Sequence, residues 1–305
     1  NPLSVLRSDG SWETFNLPCG FTELHQLDVD PNGFVWIVDN SNAAGVLLFD
    51  EGEPGNPADD RCRSFTANNS NLPTNRTNCL AVDLNGDVWV GTDEGIVIFE
   101  CGSSAFEDIC QGTLRIFEQD GFNAFLLATE QVQTIAVDGA NRKWVGTNNG
   151  VFVLSPDGEG QVAHFTEDNS PLFDNEVPEI VVAPDDGEVF IGTAAGLISY
   201  RSAATAGGRV HRSNIKVFPN PVRPEFRGNI AIEGLARDAE VKITDINGKL
   251  VFETEALGGQ AIWDGRDYNG RRVNTGVYLV FSSSNPVNSG FTNPDAAVAK
   301  IVFVR

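Results

Sequence analysis

The chain of 305 residues has no methionine, only three histidines and only three tyrosines. His25, His164 and His211 lie far from one another, and none of the five cysteines (Cys19, Cys62, Cys79, Cys101, Cys110) falls in a CxxC pair. That spacing excludes the common zinc patterns. No nucleophile elbow, Walker loop, dinucleotide fingerprint or HExxH motif occurs. No catalytic residue, cofactor or metal ligand is therefore assigned, and an enzyme is not expected. Long apolar runs are also missing. "IVVA" (180–183) and "VYLVF" (277–281) are far too short to cross a bilayer. No signal-peptide pattern opens the chain. With Asn1 first and no Met, it reads as a processed or trimmed piece whose export signal would lie upstream.

Helical patterns are scarce as well. Short apolar runs alternate with Asn, Asp, Gly and Pro, and glycine is abundant at 31 residues. This punctuation indicates an all-β protein of about two domains.

The net charge of −21 is uneven. Residues 214–305 hold 11 Lys and Arg against 10 Asp and Glu, or +1, which leaves 10 basic and 32 acidic residues, or −22, in 1–213. An acidic surface of this kind repels phosphate backbones, so nucleic acid is not an expected partner. A solvated, soluble exterior accounts for the charge.

One phrase returns four times: "LDVDPNGFVWIVDNSNAAGVLLFD" (27–50), "LAVDLNGDVWVGTDEGIVIFE" (80–100), "IAVDGANRKWVGTNNGVFVLS" (135–155) and "IVVAPDDGEVFIGTAAGLISY" (180–200). Its aromatic anchor falls at Trp36, Trp89, Trp144 and Phe190, and a second anchor at Phe15, Phe65, Phe117 and Phe165. Repeats of roughly 40–50 residues with three or four short strands are the mark of propeller blades. Each blade alone cannot bury both faces, so the four anchors are expected to be buried between successive four-stranded sheets. Asp30, Asp83 and Asp138 recur at one place in the repeat. "DPNG" and "DLNGD" hint at calcium loops but lack the spaced carboxylates ending in Glu that such loops need, so a turn-capping role is assigned. Cys101 and Cys110 bracket "GSSAFEDI" between two expected strands. A hairpin-closing disulfide is favoured there over two buried thiols and would fit an oxidising setting.

After "RSAATAGGRVHRSN" (201–214) the pattern changes. "IKVFPNPVRPEFRGNIAIEGL" (215–235), "AEVKITDINGKLVFETEA" (239–256), "QAIWDGRDYNGRRVNTGVYLVFSS" (260–283) and "AAVAKIVFVR" (296–305) give about seven short strands, an immunoglobulin-like sandwich without cysteine. The expected divisions are propeller blades over 1–201, a linker over 202–213 and the sandwich over 214–305. The turn "DGRDYNGRR" (264–272) carries Arg266, Tyr268, Arg271 and Arg272. Arg and Tyr commonly anchor interfaces, and a small sandwich recruits partners by its loops or edges, so these four are candidate partner-binding residues.

The repeats resemble the two-component-regulator propeller family, whose hallmark is D-x-x-G-x-[LV]-W-[IV]-G-T-x-x-G-[LVI]. Copies two to four follow it. Copy one has Val38-Asp39 in place of Gly-Thr and a longer connection to Gly45. That family usually closes seven blades, so the four visible here are expected to belong to a larger propeller, although a ring closed by the N-terminal strand is formally open. "VFPNPV", "VKITDINGKLV", "WDGRDYNGRRVNTGVYLV" and the terminal "AKIVFVR" resemble the C-terminal sorting domain of the type IX secretion system of Bacteroidetes. The combination resembles a family of surface components of that system. The resemblance implies a non-enzymatic, outer-membrane-associated protein exported through the periplasm. Its implied partners are the sortase PorU, PorV and PorQ, together with anionic lipopolysaccharide passed to the sortase for attachment to cargo. The alternative is an exported propeller adhesin or glycan-binding cargo with a cleavable tail. A histidine-kinase sensor is disfavoured, because the propeller runs into a sandwich rather than a membrane helix.

Overall fold

The structure, a computed structural model, describes residues 3–15, 17, 19–20, 23–39, 45–119, 122–284 and 295–304. The connection 40–44 of the first repeat lies outside them. Among the described residues the chain is all-β, with one short 3-10 turn at Gly102–Ser104. It divides into two compact units, one of residues 1–137, 142–181 and 190–198, the other of 138–141, 182–189 and 199–305.

In the first unit, β1 (Leu3–Leu6) and β2 (Trp12–Phe15) make a hairpin. β3 (Leu24–Val29), β4 (Val35–Asp39), β5 (Val46–Asp50) and β6 (Arg61–Phe65) form an antiparallel meander, the first blade. The second blade is β7 (Thr77–Val82), β8 (Val88–Thr92) and β9 (Gly95–Phe99). Its expected fourth strand is reduced to one bridge, Ile98 to Thr113, and the sequence around Phe117 instead forms a separate hairpin of β10 (Ile116–Gln119) and β11 (Phe122–Phe125). The side chain of Phe117 lies outside what the structure describes. The third blade is complete: β12 (Val132–Val137), β13 (Lys143–Thr147), β14 (Gly150–Leu154) and β15 (Gln161–Phe165). The last has three strands, β16 (Glu179–Ala183), β17 (Glu188–Thr193) and β18 (Gly196–Arg201). Two of the four blades thus differ from the expected four strands.

The repeat residues explain this stacking. Trp36 is buried and stacks on Phe65 at 5.3 Å, with Phe99 of the next blade at 5.5 Å. Trp89 packs in a core with Ile135, Val145 and Phe152 of the third blade. Trp144 is buried and stacks on Phe165. Each indole removes roughly 150–250 Å² from water, worth about 4–6 kcal/mol at ~25 cal/mol/Å². Phe190 departs from the expectation. It is 38% exposed, as is Leu197 at 66%, because among the described residues no further sheet covers the face on which they sit. Polar groups register the first two blades: Gln26 exchanges two hydrogen bonds with the Leu80 backbone, and Asp28 accepts from Val82 N–H. The glycine that opens the third strand is required by sterics. At Gly150, with φ +104°, a Cβ would come within 2.1 Å of the Phe165 carbonyl oxygen.

In the second unit, two sheets pack around one core. β19 (Lys216–Phe218), β20 (Ile230–Glu233) and β23 (Gln260–Trp263) form one, in that order. The other runs β22 (Leu250–Glu255), β21 (Glu240–Asp245), β24 (Gly276–Ser283), β25 (Ala296–Phe303). Alternation puts Val241, Ile243, Val280, Ile301 and Phe303 inside with Ile230, Ile232 and Trp263. The "FPNPV" segment covers the end of the edge strand β25. Val222 N–H donates to Val302 O, Val304 N–H to Val222 O, and Asn220 bonds Lys300 and Val302. This shields backbone groups that an open edge would offer to other strands. Residues 202–208 are not a loose tether. Ser202, Ala204 and Thr205 are buried, Thr205 bonds Leu257 and Gly259, and Ala206 N–H donates to Pro184 O.

Candidate functional site

The turn between β23 and β24 is built by its acidic residues. Asp264 accepts the Arg266 amide, and Asp267 accepts the amides of Asn269 and Arg271. Gly270 supplies the positive φ of 73° that the tight reversal needs. The turn does not hold its four candidate side chains together. Arg266 is spent locally: its guanidinium donates to Gly270 O at 2.7 Å and pairs with Asp264, while its carbonyl accepts the Trp263 indole N–H at 2.8 Å. Tyr268, 60% exposed, lies beside Phe252 and Glu253 of β22. Its phenol is pushed up from the usual range, first by desolvation and then by the Glu253 charge. Arg271 is exposed. Arg272 is half-buried, its guanidinium 5.8 Å from the Phe303 ring centre.

Arg272 belongs to a cleft of about 540 Å³, with Arg227, Asn274 and Thr275 as its polar side chains and Pro224, Val273, Phe303 and Val304 as its apolar part. Three stretches distant in sequence meet there, which is why Arg227 and Asn274 carry no local pattern that singles them out. The Arg227 Nη1 group donates to the Pro224 and Phe226 carbonyls, and a guanidinium has further N–H donors on its other two nitrogens. Among the described residues neither Arg227 nor Arg272 is paired with a carboxylate. The arrangement can hold an anion.

A second cleft, of about 400 Å³, lies in the first unit and is acidic, lined by Glu13, Glu51 and Asp60 with Thr14, Phe15, Gly55 and Pro57. Arg7 ties Glu13 and Glu51 together. Desolvation, then the charges of Asp59 and other nearby acids, pushes the Asp60 carboxyl up. Among the described residues no group of three or more His, Cys, Asp or Glu side chains is placed to hold a metal ion.

The repeat aspartates act within the fold. Asp30 Oδ1 accepts the amides of Asn32 and Phe34, and its Oδ2 accepts the Trp36 indole N–H at 3.1 Å. Asp83 repeats the pattern with Asn85, Asp87 and Trp89. Asp138 Oδ1 accepts the Ala140 amide.

His211, Ser282 and Asp295 form a hydrogen-bonded row. His211 Nδ1 is 2.8 Å from Asp295 Oδ2, and Nε2 is 2.8 Å from Ser282 Oγ. The order mimics a hydrolase triad, but Ser282 is buried within β24 and closed to solvent. The row fastens residue 211 to the sheet. Bonds from the backbone and then the ring of His211 hold the Asp295 carboxyl below the usual range.

Cys101 and Cys110 are joined by a disulfide with Cα atoms 5.3 Å apart. A second joins Cys19 to Cys62 across 6.1 Å, a pairing left open by the sequence. Cys79 is a free thiol whose burial pushes it up to about 12.

Comparison with known proteins gives this geometry a setting. Residues 216–289 match the family of secretion system C-terminal sorting domains. The chain is similar to PorZ, described as an essential bacterial surface component of the type-IX secretion system of Porphyromonas gingivalis, with 28% identity and a TM-score of 0.58. That likeness covers 97% of this chain and 41% of PorZ, so the chain spans well under half of that protein's length. The extracellular domain of a protein described as a hybrid two-component system from B. thetaiotaomicron is similar at 13% identity and a TM-score of 0.43, over 96% of this chain and 39% of its own. Virginiamycin B lyase from Staphylococcus aureus is similar at 12% identity and a TM-score of 0.44, over 92% of this chain and 84% of its own. No curated protein matches. The chain is thus similar to PorZ, and its propeller-type sheets are followed by a segment that matches the secretion system C-terminal sorting domains.

Proposed function

We propose that this protein is a non-enzymatic, outer-membrane-associated component of the type IX attachment machinery, which binds anionic lipopolysaccharide and passes it to the sortase PorU in company with PorV and PorQ. The observation that carries this reading is the combination in one chain of regulator-type sheets and a sorting domain, at 28% identity to PorZ over 97% of the chain. Charge narrows where a glycan could sit. Residues 1–213 carry 10 basic and 32 acidic side chains, which repel an anionic polymer, whereas 214–305 carry 11 and 10. An anionic ligand is therefore assigned to the sandwich or to parts of the machinery other than these blades.

The deciding experiment is recovery of the protein from the native cell surface with its C-terminus identified by mass spectrometry. Co-purification with the sortase, together with a retained sorting domain, is the expected result. A mature form ending near 201–214, with no sortase recovered, would make the protein a cargo adhesin instead.

A further inference from the structure

The cleft of Arg227, Arg272, Asn274 and Thr275 lies where the loop before β20, the turn after β23 and the end of β25 meet. We propose that it is a binding site for an anionic sugar, a monosaccharide unit bearing a phosphate or carboxylate. Its volume of about 540 Å³ falls in the ~300–1,000 Å³ span of small-molecule sites. Two guanidinium groups reach it from separate segments, and its lining contains no Asp or Glu. In residues 214–305, which hold 11 basic against 10 acidic side chains, this cleft brings two arginines together without a carboxylate in its lining. Arg272 is half-buried against Phe303, so its charge is screened less by water than a fully exposed one, and it would form charge-assisted, two-pronged bonds to an oxyanion.

The rest of the lining selects the body that carries the charge. Asn274 offers an amide and Thr275 a hydroxyl, groups that exchange hydrogen bonds with sugar hydroxyls. Val273, Val304 and Pro224 supply an apolar surface for the C–H face of a pyranose. A bare phosphate would use the arginines and leave most of the volume unfilled. A nucleotide would need an open aromatic face for its base, and Phe303 is buried. The proposal deepens the function proposed above by giving an anionic glycan a place on this chain, and it rests on that reading only for where such a glycan comes from.

The test is an NMR titration of the isotope-labelled full chain with galacturonic acid and with glucose 6-phosphate, set against galactose, glucose and inorganic phosphate. Charged sugars should shift the Arg272 Nε–H and the amides of 272–275 and 303–304, and binding should weaken as salt is raised. Arg227→Ala, at an exposed position, should raise the dissociation constant about tenfold or more while leaving the spectrum folded, as expected when one charged partner is lost. Arg272→Ala should do the same, and Arg272→Lys should recover part of the loss. Equal binding of neutral sugars, inorganic phosphate binding as tightly as the charged sugars, shifts centred elsewhere, or unchanged affinity in both alanine variants would overturn the site. Recovery with the sortase is read separately, so failure here removes the site without touching the secretion reading.

Discussion

The ammonium of Lys143 lies 2.8 Å from Oδ2 of Asp83, sixty residues earlier, and both side chains are shut from solvent. Lys143 stands where the other repeats have valine, directly before the blade tryptophan. It reaches the aspartate that already receives the Trp89 indole N–H, donates to the Pro156 carbonyl, and lies 4.2 Å from the centre of the Trp89 ring. Removing one partner strands the other charge in the interior. Lys143→Met is expected to cost about 3–5 kcal/mol. The Asp83→Asn, Lys143→Met double variant should cost less than the sum of the singles. Urea unfolding of the set measures both.

The same pair makes stability depend on acid. Burial pushes the Asp83 carboxyl up, but the Lys143 ammonium and the amides of Asn85 and Asp87 outweigh it and hold the carboxyl below the usual range. A carboxyl whose folded pKa is depressed adds stability that is fully present above its unfolded value, ~3.9, and is lost as pH falls through the folded value. Denaturation midpoints of the wild type should therefore fall below about pH 4. In Asp83→Asn this part of the acid dependence should vanish, which a pH series of unfolding curves would reveal.

Tryptophan anchors and the phenylalanine at the same repeat position should behave differently. Trp89→Ala is expected to cost about 3–5 kcal/mol, as for other large-to-small core changes. Phe190, 38% exposed, should cost about 1 kcal/mol or less on the same change, since little buried area is lost. Matched thermal unfolding of the two variants decides between a repeat-wide role and one set by burial.

The Cys101–Cys110 bridge closes a short loop with a sequence separation of 9. Replacing both residues with serine should lower stability by about 2–3 kcal/mol, since a short loop restrains the unfolded chain modestly. Mass mapping without reductant checks the bond, and unfolding with and without reductant checks its effect.

His211→Ala should release Ser282 and Asp295 while sparing the sandwich core. Hydrogen exchange is expected to quicken around 209–213 and 295–296, with protection in β21 and β24 retained. Equal quickening across the sheet would mean that the row supports the whole sandwich.

Much of this protein was legible from local pattern. The D-x-x-x-x-x-W spacing places an Asx turn, a strand and an indole in one hairpin, so the repeat, the all-β class and the seven strands of the sandwich follow from neighbours in sequence. Residues such as Trp36 and Trp89 are buried because their strands alternate and their blades are each followed by another. Tertiary structure decided what depends on distant partners. Phe190 shares the repeat position yet stays exposed, because burial is a property of the sheet packed against it. Lys143 is internal because Asp83 and Trp89 converge on it across sixty residues of chain. The four turn residues Arg266, Tyr268, Arg271 and Arg272 are close in sequence but point to different surroundings, since successive side chains in a tight turn diverge. Arg227 joins Arg272 only because the sandwich brings the loop that precedes β20, the turn that follows β23 and the end of β25 to one place. Adjacency along the chain fixes backbone conformation, whereas shared sites form between segments whose meeting is set by the packing of the whole core.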